Sequence, residues 1–324
     1  FVVNPDGTLG AEVPFYQIGA EQSLLPAVVE VVTGFKNGTA TGTPEEALVM
    51  GPAERAEVIV DFEGLADGTR VRIINTAADA PFGGFPDVPA DPATTGQVME
   101  FVVNNTLNGA SPTDPGGATP ATDPMSLALD ANPGGVPLLG AASVTRDMAL
   151  LEEESIDVCV TVKPNGQISQ INKAKPGPAF FADCAAEGGV PFGPKAAVLG
   201  INGATTSDVT LWSDPIATNP ALDATEEWEL WNRSADAHPM HLHLVKFQVT
   251  ERQAIGGAAR PPEATEAGWK DTVIAYPGEV TRIKAKFDIP GLYVWHCHIV
   301  EHEDNEMMVP YCVGDPNANG CAGL

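Results

Sequence analysis

The chain has 324 residues, enough for two domains with cores of their own. Forty-three acids against 17 bases give a formal charge of −26, which disfavours nucleic acid and anionic membrane surfaces as partners. No run reaches the ~18 apolar residues of a membrane span, no signal peptide is legible, and 33 Gly with 29 Pro among short strand-like runs point to an all-β protein rich in turns.

In chain order, residues 1–105 read as β throughout. Strands are expected over 13–20, 27–33, 47–50, 55–62, 69–75 and 97–103, where β-branched and aromatic residues run between turn formers. Stretches 34–44 and 76–95 are turn-rich connections. This region holds neither His nor Cys. Residues 106–142, rich in Pro, Gly, Ala, Thr and Asp, cannot pack a core and read as a linker. From 143 to 324 strands are expected at 146–152, 155–162, 197–202, 225–232, 242–253, 270–276, 280–287, 291–298 and 307–313, with a turn over 276–279. That count and spacing suit a Greek-key sandwich or barrel. Trp228, Trp231, Trp269 and Trp295 are assigned to the core.

The chain's six histidines fall in two short motifs: His238, His241 and His243, then His296, His298 and His302. On a strand, neighbours point to opposite faces. His296 and His298 therefore share a face and Cys297 takes the other. A Cys thiolate, two imidazoles and a weak, distant Met form the ligand set of a blue-copper electron-transfer site. Met307 stands ten residues past Cys297. His241 and His243, spaced i, i+2, are expected on one face of a strand that continues through 244–250. Pro239 is expected to bend the chain before it, so that His238 turns to a different metal. A simple blue-copper carrier has no use for His on both sides of its Cys. A second copper centre is therefore expected across the strand.

These motifs resemble the C-terminal cupredoxin domain of the multicopper oxidases. His302-Glu303-Asp304 and Met307-Met308, after His296-Cys297-His298, are similar to the branch of bacterial spore-coat laccases and bilirubin oxidases. Stretches 14–20, 24–26 and 51–56 resemble the middle domain of such enzymes. The resemblance implies two cupredoxin-like Greek-key domains: 1–105, a copper-free middle domain without its opening strands, and 143–324, the C-terminal one, joined by 106–142. It implies that His238, Cys297 and His302 bind type 1 copper with Met307 axial, that His241 binds type 2 copper, and that His243, His296 and His298 bind the type 3 pair. Met308 is left to the core. Glu303 matches an acid that feeds protons to the oxygen site.

The implied activity is one-electron oxidation of phenolic, aromatic-amine or bilirubin-like donors at type 1 copper, coupled to reduction of dioxygen to water at the three-copper cluster. The family's cluster uses eight histidines, and this chain offers four. The others are expected from an N-terminal fragment or chain of the same oxidase. Phe1, standing without Met in a strand-like run, suggests a nicked or split chain. The alternatives are a type 1 electron-transfer module without a complete cluster, and a cuprous or ferrous oxidase. The latter is marked down because the seven Met form no cluster before the motif. Stretches 203–224 and 254–267 are candidates to shape the donor pocket.

Besides Cys297 there are four cysteines, an even number. Pairing by proximity suggests Cys159–Cys184 and Cys312–Cys321, and hence an oxidising, secreted or periplasmic setting. Asn37, Asn104 and Asn232 open glycosylation sequons, a pattern common by chance.

Overall fold

In the computed structural model, the described residues are 1–33, 48–84, 89–104, 123–130, 138–153, 158–192, 196–203, 207–318 and 321. The first segment contributes six strands: β1 (Val2–Val3), β2 (Phe15–Gly19), β3 (Leu24–Val31), β4 (Glu57–Val60), β5 (Arg70–Ile74) and β6 (Gln97–Val102). They form two three-stranded antiparallel sheets, β3-β2-β4 and β1-β5-β6. Most of the expected linker lies outside the described residues. Within it, Pro124–Ser126 makes one 3-10 turn, capped by the Asp123 side chain.

The second segment adds β7 (Val144–Glu153), β8 (Cys159–Val162), β9 (Ile168–Ile171), helix α1 (Phe180–Ala186), β10 (Val190–Pro191), β11 (Ala196–Asn202), β12 (Ser207–Thr210), β13 (Ala224–Asn232), β14 (His238–Leu242), β15 (Phe247–Ala254), β16 (Ala259–Arg260), β17 (Thr272–Ala275), β18 (Glu279–Phe287), β19 (Gly291–Cys297), helix α2 (Val300–Glu303) and β20 (Met308–Val313). A seven-stranded sheet, β12-β11-β7-β13-β18-β15-β16, faces a four-stranded one, β17-β14-β19-β20. Between them lies one core. Strand β13 alternates cleanly, burying Glu226, Trp228, Leu230 and Asn232. Trp228 stacks on Phe287 at 5.7 Å and meets Trp295 and Tyr311 edge-on at 5.8 and 5.7 Å. Removing such a side chain costs roughly 3–5 kcal/mol. Trp228, Trp269 and Trp295 are buried as expected, whereas Trp231 is half-buried under the Arg233 guanidinium. The third sheet, β10-β8-β9, is stapled to α1 by Cys159–Cys184. Cys312–Cys321 is also formed, leaving Cys297 as the free thiol.

Three expectations need correction. The strand read over 242–253 is broken: β14 stops at Leu242, Leu244 turns through φ 74°, and β15 begins at Phe247 in the other sheet. His243 therefore sits past the strand end, not on its face. Pro239 does not bend the chain ahead of a strand either. It lies within β14, opposite Ile274. No strand forms over the described part of 47–50. Of the sequons, Asn37 falls outside the described residues. Asn232 is fully buried, its amide bonded to the Asp236 and Ala275 carbonyls.

The first segment docks directly on the strands that carry the histidines. Gly51 packs against Pro239 with no room for a side chain: a Cβ there would lie 2.9 Å from the Pro239 Cβ. Gln22 donates to the Trp269 carbonyl, Trp269 to Ser23 Oγ, and Lys270 bridges Glu21 at 2.8 Å and Glu54 at 3.2 Å.

Candidate metal centres

Strands β14 and β19 are antiparallel, with Met240 opposite Cys297, His241 opposite His296 and Leu242 opposite Trp295. Opposite residues share a face and neighbours alternate. One face therefore carries His238, Met240 and Cys297, and the other carries His241 and His296. The odd spacing between His238 and His241 separates them, which replaces the expected bend at Pro239.

On the core-facing side, His302 arrives from α2, a single turn after β19. Its Nδ1 lies 3.9 Å from Cys297 Sγ and 3.2 Å from His238 Nδ1, and His238 Nδ1 lies 3.7 Å from the sulfur. The loop then closes on itself: Met307 donates to the His302 carbonyl and Cys297 donates to the Met307 carbonyl, both at 3.0 Å. Glu306, at φ 70°, makes the left-handed turn that returns Met307 to the core. Cys297, His238 and Met307 are each fully buried, and Met307 packs in the same core cluster as Cys297.

Chemically this set fits a soft cation. His238 Nε2 meets Ser234 Oγ at 2.7 Å. The Ser234 hydroxyl is directed to Asn232 Oδ1 at 2.6 Å, so it accepts from His238 Nε2–H and leaves the Nδ1 lone pair facing the sulfur. Burial, reinforced by the neighbouring His302, pushes the His238 imidazole down to about 3. Burial pushes the Cys297 thiol up to about 12, against a lowering hydrogen bond from the Ile299 amide. Without metal the pocket thus favours neutral groups, and binding a cation releases the thiol proton.

Across the strand, His241, His243 and His296 bring ring nitrogens within 4.8 Å of one another. His243 Nε2 and His296 Nε2 are 3.2 Å apart. The His298 ring is 5.3 Å from His296 and 5.9 Å from His241, centroid to centroid. The far nitrogens are engaged: His241 Nδ1 donates to the Asp271 carbonyl at 2.8 Å, and His296 Nδ1 to the Cys297 carbonyl at 3.0 Å. Both rings therefore turn Nε2 lone pairs inward, the arrangement metal-ligating imidazoles adopt. Two facing lone pairs at 3.2 Å are stable only around a proton or a cation. Burial lowers the His241 and His243 imidazoles, although His243 is exposed. Glu303 Oε2 lies 3.4 Å from His296 Nδ1.

His238, Cys297 and His302 thus converge on one side of the β14–β19 pair and His241, His243 and His296 on the other, with Met307 in the core cluster of Cys297 and the His298 ring beside His296 and His241. Sequence reasoning missed the residues that orient them, Ser234, Asp271 and Thr272. Their signal is only adjacency: Ser234 precedes His238 in a tight turn, and Asp271–Thr272 lies across the ladder from His241. Of the candidate pocket stretches, 203–224 does reach the loop before Met307, since Trp212 donates from its amide to Glu306 Oε2 at 3.2 Å. Stretch 254–267 instead folds onto buried Arg252, which pairs with Glu263 and Glu266.

Comparison with known proteins agrees with this geometry. The family model described as multicopper oxidase matches residues 194–317. A laccase of Bacillus subtilis is 29% identical over 317 residues, 94% of this chain and 47% of that protein. A laccase of Haloferax volcanii is 50% identical over 101 residues, 31% of this chain and 17% of that protein. Among solved structures, a multicopper oxidase from Aquifex aeolicus superposes with a TM-score of 0.57 at 22% identity, covering 94% of this chain and 51% of that one. The chain spans about half the length of the Bacillus relative and of that structure. Residues 194–317 thus match the multicopper oxidase model, and the chain has the cupredoxin-type β architecture of the structures it superposes on.

Proposed function

We propose that this chain is the donor-facing part of a laccase-like multicopper oxidase, acting on small phenolic or aromatic donors with dioxygen as acceptor. His238, Cys297 and His302 would hold type 1 copper with Met307 axial, His241 type 2 copper, and His243, His296 and His298 the type 3 pair. Copper in the closed set supplies one-electron acceptance with little reorganisation, and copper in the open set supplies reduction of dioxygen to water.

One observation carries the reading. Cys297 places its Sγ in one set while its backbone neighbours His296 and His298 stand in the other, and His296 Nδ1 bonds back to the Cys297 carbonyl. The two sets are thus joined by one residue's covalent frame and one hydrogen bond. His302 is half-buried while His238 is fully buried, so a donor would meet the His302 edge. Glu303 is anchored by its amide to the Ile299 carbonyl, and its carboxyl at the rim of the open set is placed to pass protons inward.

In this reading residues 1–105 are a copper-free cupredoxin-like domain and 143–324 the copper-bearing one. All six histidines of the chain are used. A second copy would only repeat the same set. The remaining cluster ligands therefore come from polypeptide outside this sequence, an N-terminal part of the same oxidase. The two disulfides fit a secreted or periplasmic setting. The incompleteness of the open set favours one second reading, an electron-transfer unit with type 1 copper alone. EPR of the copper-loaded, oxidised protein separates the two. Type 1 and type 2 signals, with more copper than EPR detects, mark the oxidase. A type 1 signal alone marks the electron-transfer unit.

A further inference from the structure

Of the ligand rings, His238 is oriented by its own preceding turn and His296 by its own strand. His241 differs. Its Nδ1 partners are the Asp271 carbonyl at 2.8 Å and Thr272 Oγ1 at 3.1 Å, at the entry to β17. That entry is gripped by the segment that holds no histidine. Arg55 donates Nη1 to Asp271 Oδ1 at 2.9 Å and Nη2 to Oδ2 at 2.6 Å, and Gln22 Nε2 donates to Oδ2 at 2.7 Å. Thr272 Oγ1 donates to Oδ1 at 3.0 Å. Both carboxylate oxygens are thus committed, which fixes residue 271 and aims its carbonyl at the His241 ring.

The neighbouring residues are held from the same side. Residues 21 and 22 face 54 and 55 around the pair 270–271, with Lys270 on Glu21 and Glu54. Burial pushes the Asp271 carboxyl up, but the hydrogen bonds from Arg55, Gln22 and Thr272 outweigh it and hold it down at about 2. It is an anion throughout the working range. The fork is only partly buried, with the Arg55 side chain 51% exposed and Asp271 11% exposed. What a bidentate guanidinium adds is geometry, which a lysine cannot reproduce.

We infer that Arg55 and Gln22 are positioning residues for His241, acting through Asp271 to fix the ring that the proposed type 2 copper would use. The copper-free segment would then do more than connect: it sets one ligand of the open set. The inference rests on the copper reading above, and its test is separable from it.

The test compares the wild type with Arg55→Met/Gln22→Leu, Arg55→Lys and Ser23→Ala. The last removes a neighbouring contact between the same segments without touching Asp271. In copper-loaded protein, the double variant is expected to keep the blue absorption of the Cys297 site. Its type 2 EPR signal should change, with copper at that site bound about 10–100-fold more weakly, as for other supporting hydrogen bonds of metal ligands. Arg55→Lys should restore part of the loss, and Ser23→Ala should match the wild type. An unaltered type 2 signal and affinity in the double variant overturns the inference. So does an equal loss in Ser23→Ala, which would make generic docking the cause. If the wild type shows no blue band, the copper reading fails instead. Metal-free protein then decides the inference. Long-range 1H–15N spectra should show His241 fixed as the Nδ1–H tautomer in the wild type and exchanging in the double variant. A fixed tautomer in both overturns it.

Discussion

The two histidine sets are built around one strand pair and share no residue, and one is closed while the other is open. The Cys297 set faces the core between the sheets. Its ligands lie within 238–307, three of its four side chains are fully buried, and each imidazole meets the sulfur through Nδ1. The His241 set faces away from that core, with His243 exposed and with Nε2 lone pairs turned toward one another. A closed set is completed by its own loop, here 298–307. An open set is completed from elsewhere. In the proposed reading the same β14–β19 ladder serves one site completed by its own loop and another that would draw on the first segment for orientation and on further polypeptide for ligands.

The largest effect should come from breaking the closed set. Cys297→Ser replaces the soft sulfur with a hard hydroxyl, which can donate to the His238 Nδ1 and accept from the Ile299 amide but cannot act as a thiolate ligand. Blue absorption and donor oxidation should fall to background, while metal binding by the four histidines persists. Blue absorption in this variant would break the contrast between the sets.

Acid should act next, again through the closed set. In metal-free protein His238 sits at about 3 against 6.5 when unfolded. Between those values the unfolded chain binds a proton that the folded one refuses. Stability is therefore full above about 6.5 and falls as pH drops toward 3, by as much as about 5 kcal/mol from this residue. Urea midpoints of metal-free protein at pH 7 and pH 4 read the loss. His238→Gln should flatten it, and an equal slope in that variant would assign the acid sensitivity elsewhere.

Glu303→Gln tests the open side. A positioned proton donor is typically worth 10²–10⁴-fold, so reoxidation by dioxygen should slow by about 10²-fold while the blue band and donor half-reaction persist. Unchanged reoxidation would remove Glu303 from the chemistry.

Much of this was legible in the sequence because it depends on period and spacing. The alternation of His296 and Cys297 needs only a strand to divide between two faces, and β19 supplies it, although it stops before His298. Both disulfides followed from an even cysteine count and proximity. What was not legible depends on where strands stop. His241 and His243 read as one strand face, because nothing local to 242–246 announces that Leu244 turns left-handed and hands the chain to the other sheet. Pro239 reads as a bend, because a proline's place opposite Ile274 in a ladder is a tertiary fact. The supports of His241 were least legible of all. Arg55 and Asp271 are 216 residues apart, and neither carries a motif.

The smallest effect should come from Met307, and it probes how closed the closed set is. Met307 is fully buried beside Cys297, so Met307→Leu keeps volume and apolarity and should cost less than about 1.5 kcal/mol. The loop should hold, because its closing hydrogen bonds run through the Met307 backbone and not through its sulfur. The thioether is a weak donor that stabilises the more oxidised, more electron-poor metal. Without it the reduction potential of the blue site should rise, with the band kept in intensity. A redox titration against Met308→Leu reads this, since Met308 pairs with His296 along the β19–β20 ladder and should leave the potential unchanged. A rise in Met307→Leu alone would make Met307 the axial group and the Cys297 set complete within the chain. A rise in Met308→Leu instead would move the axial position one residue on, and with it the face on which the loop closes.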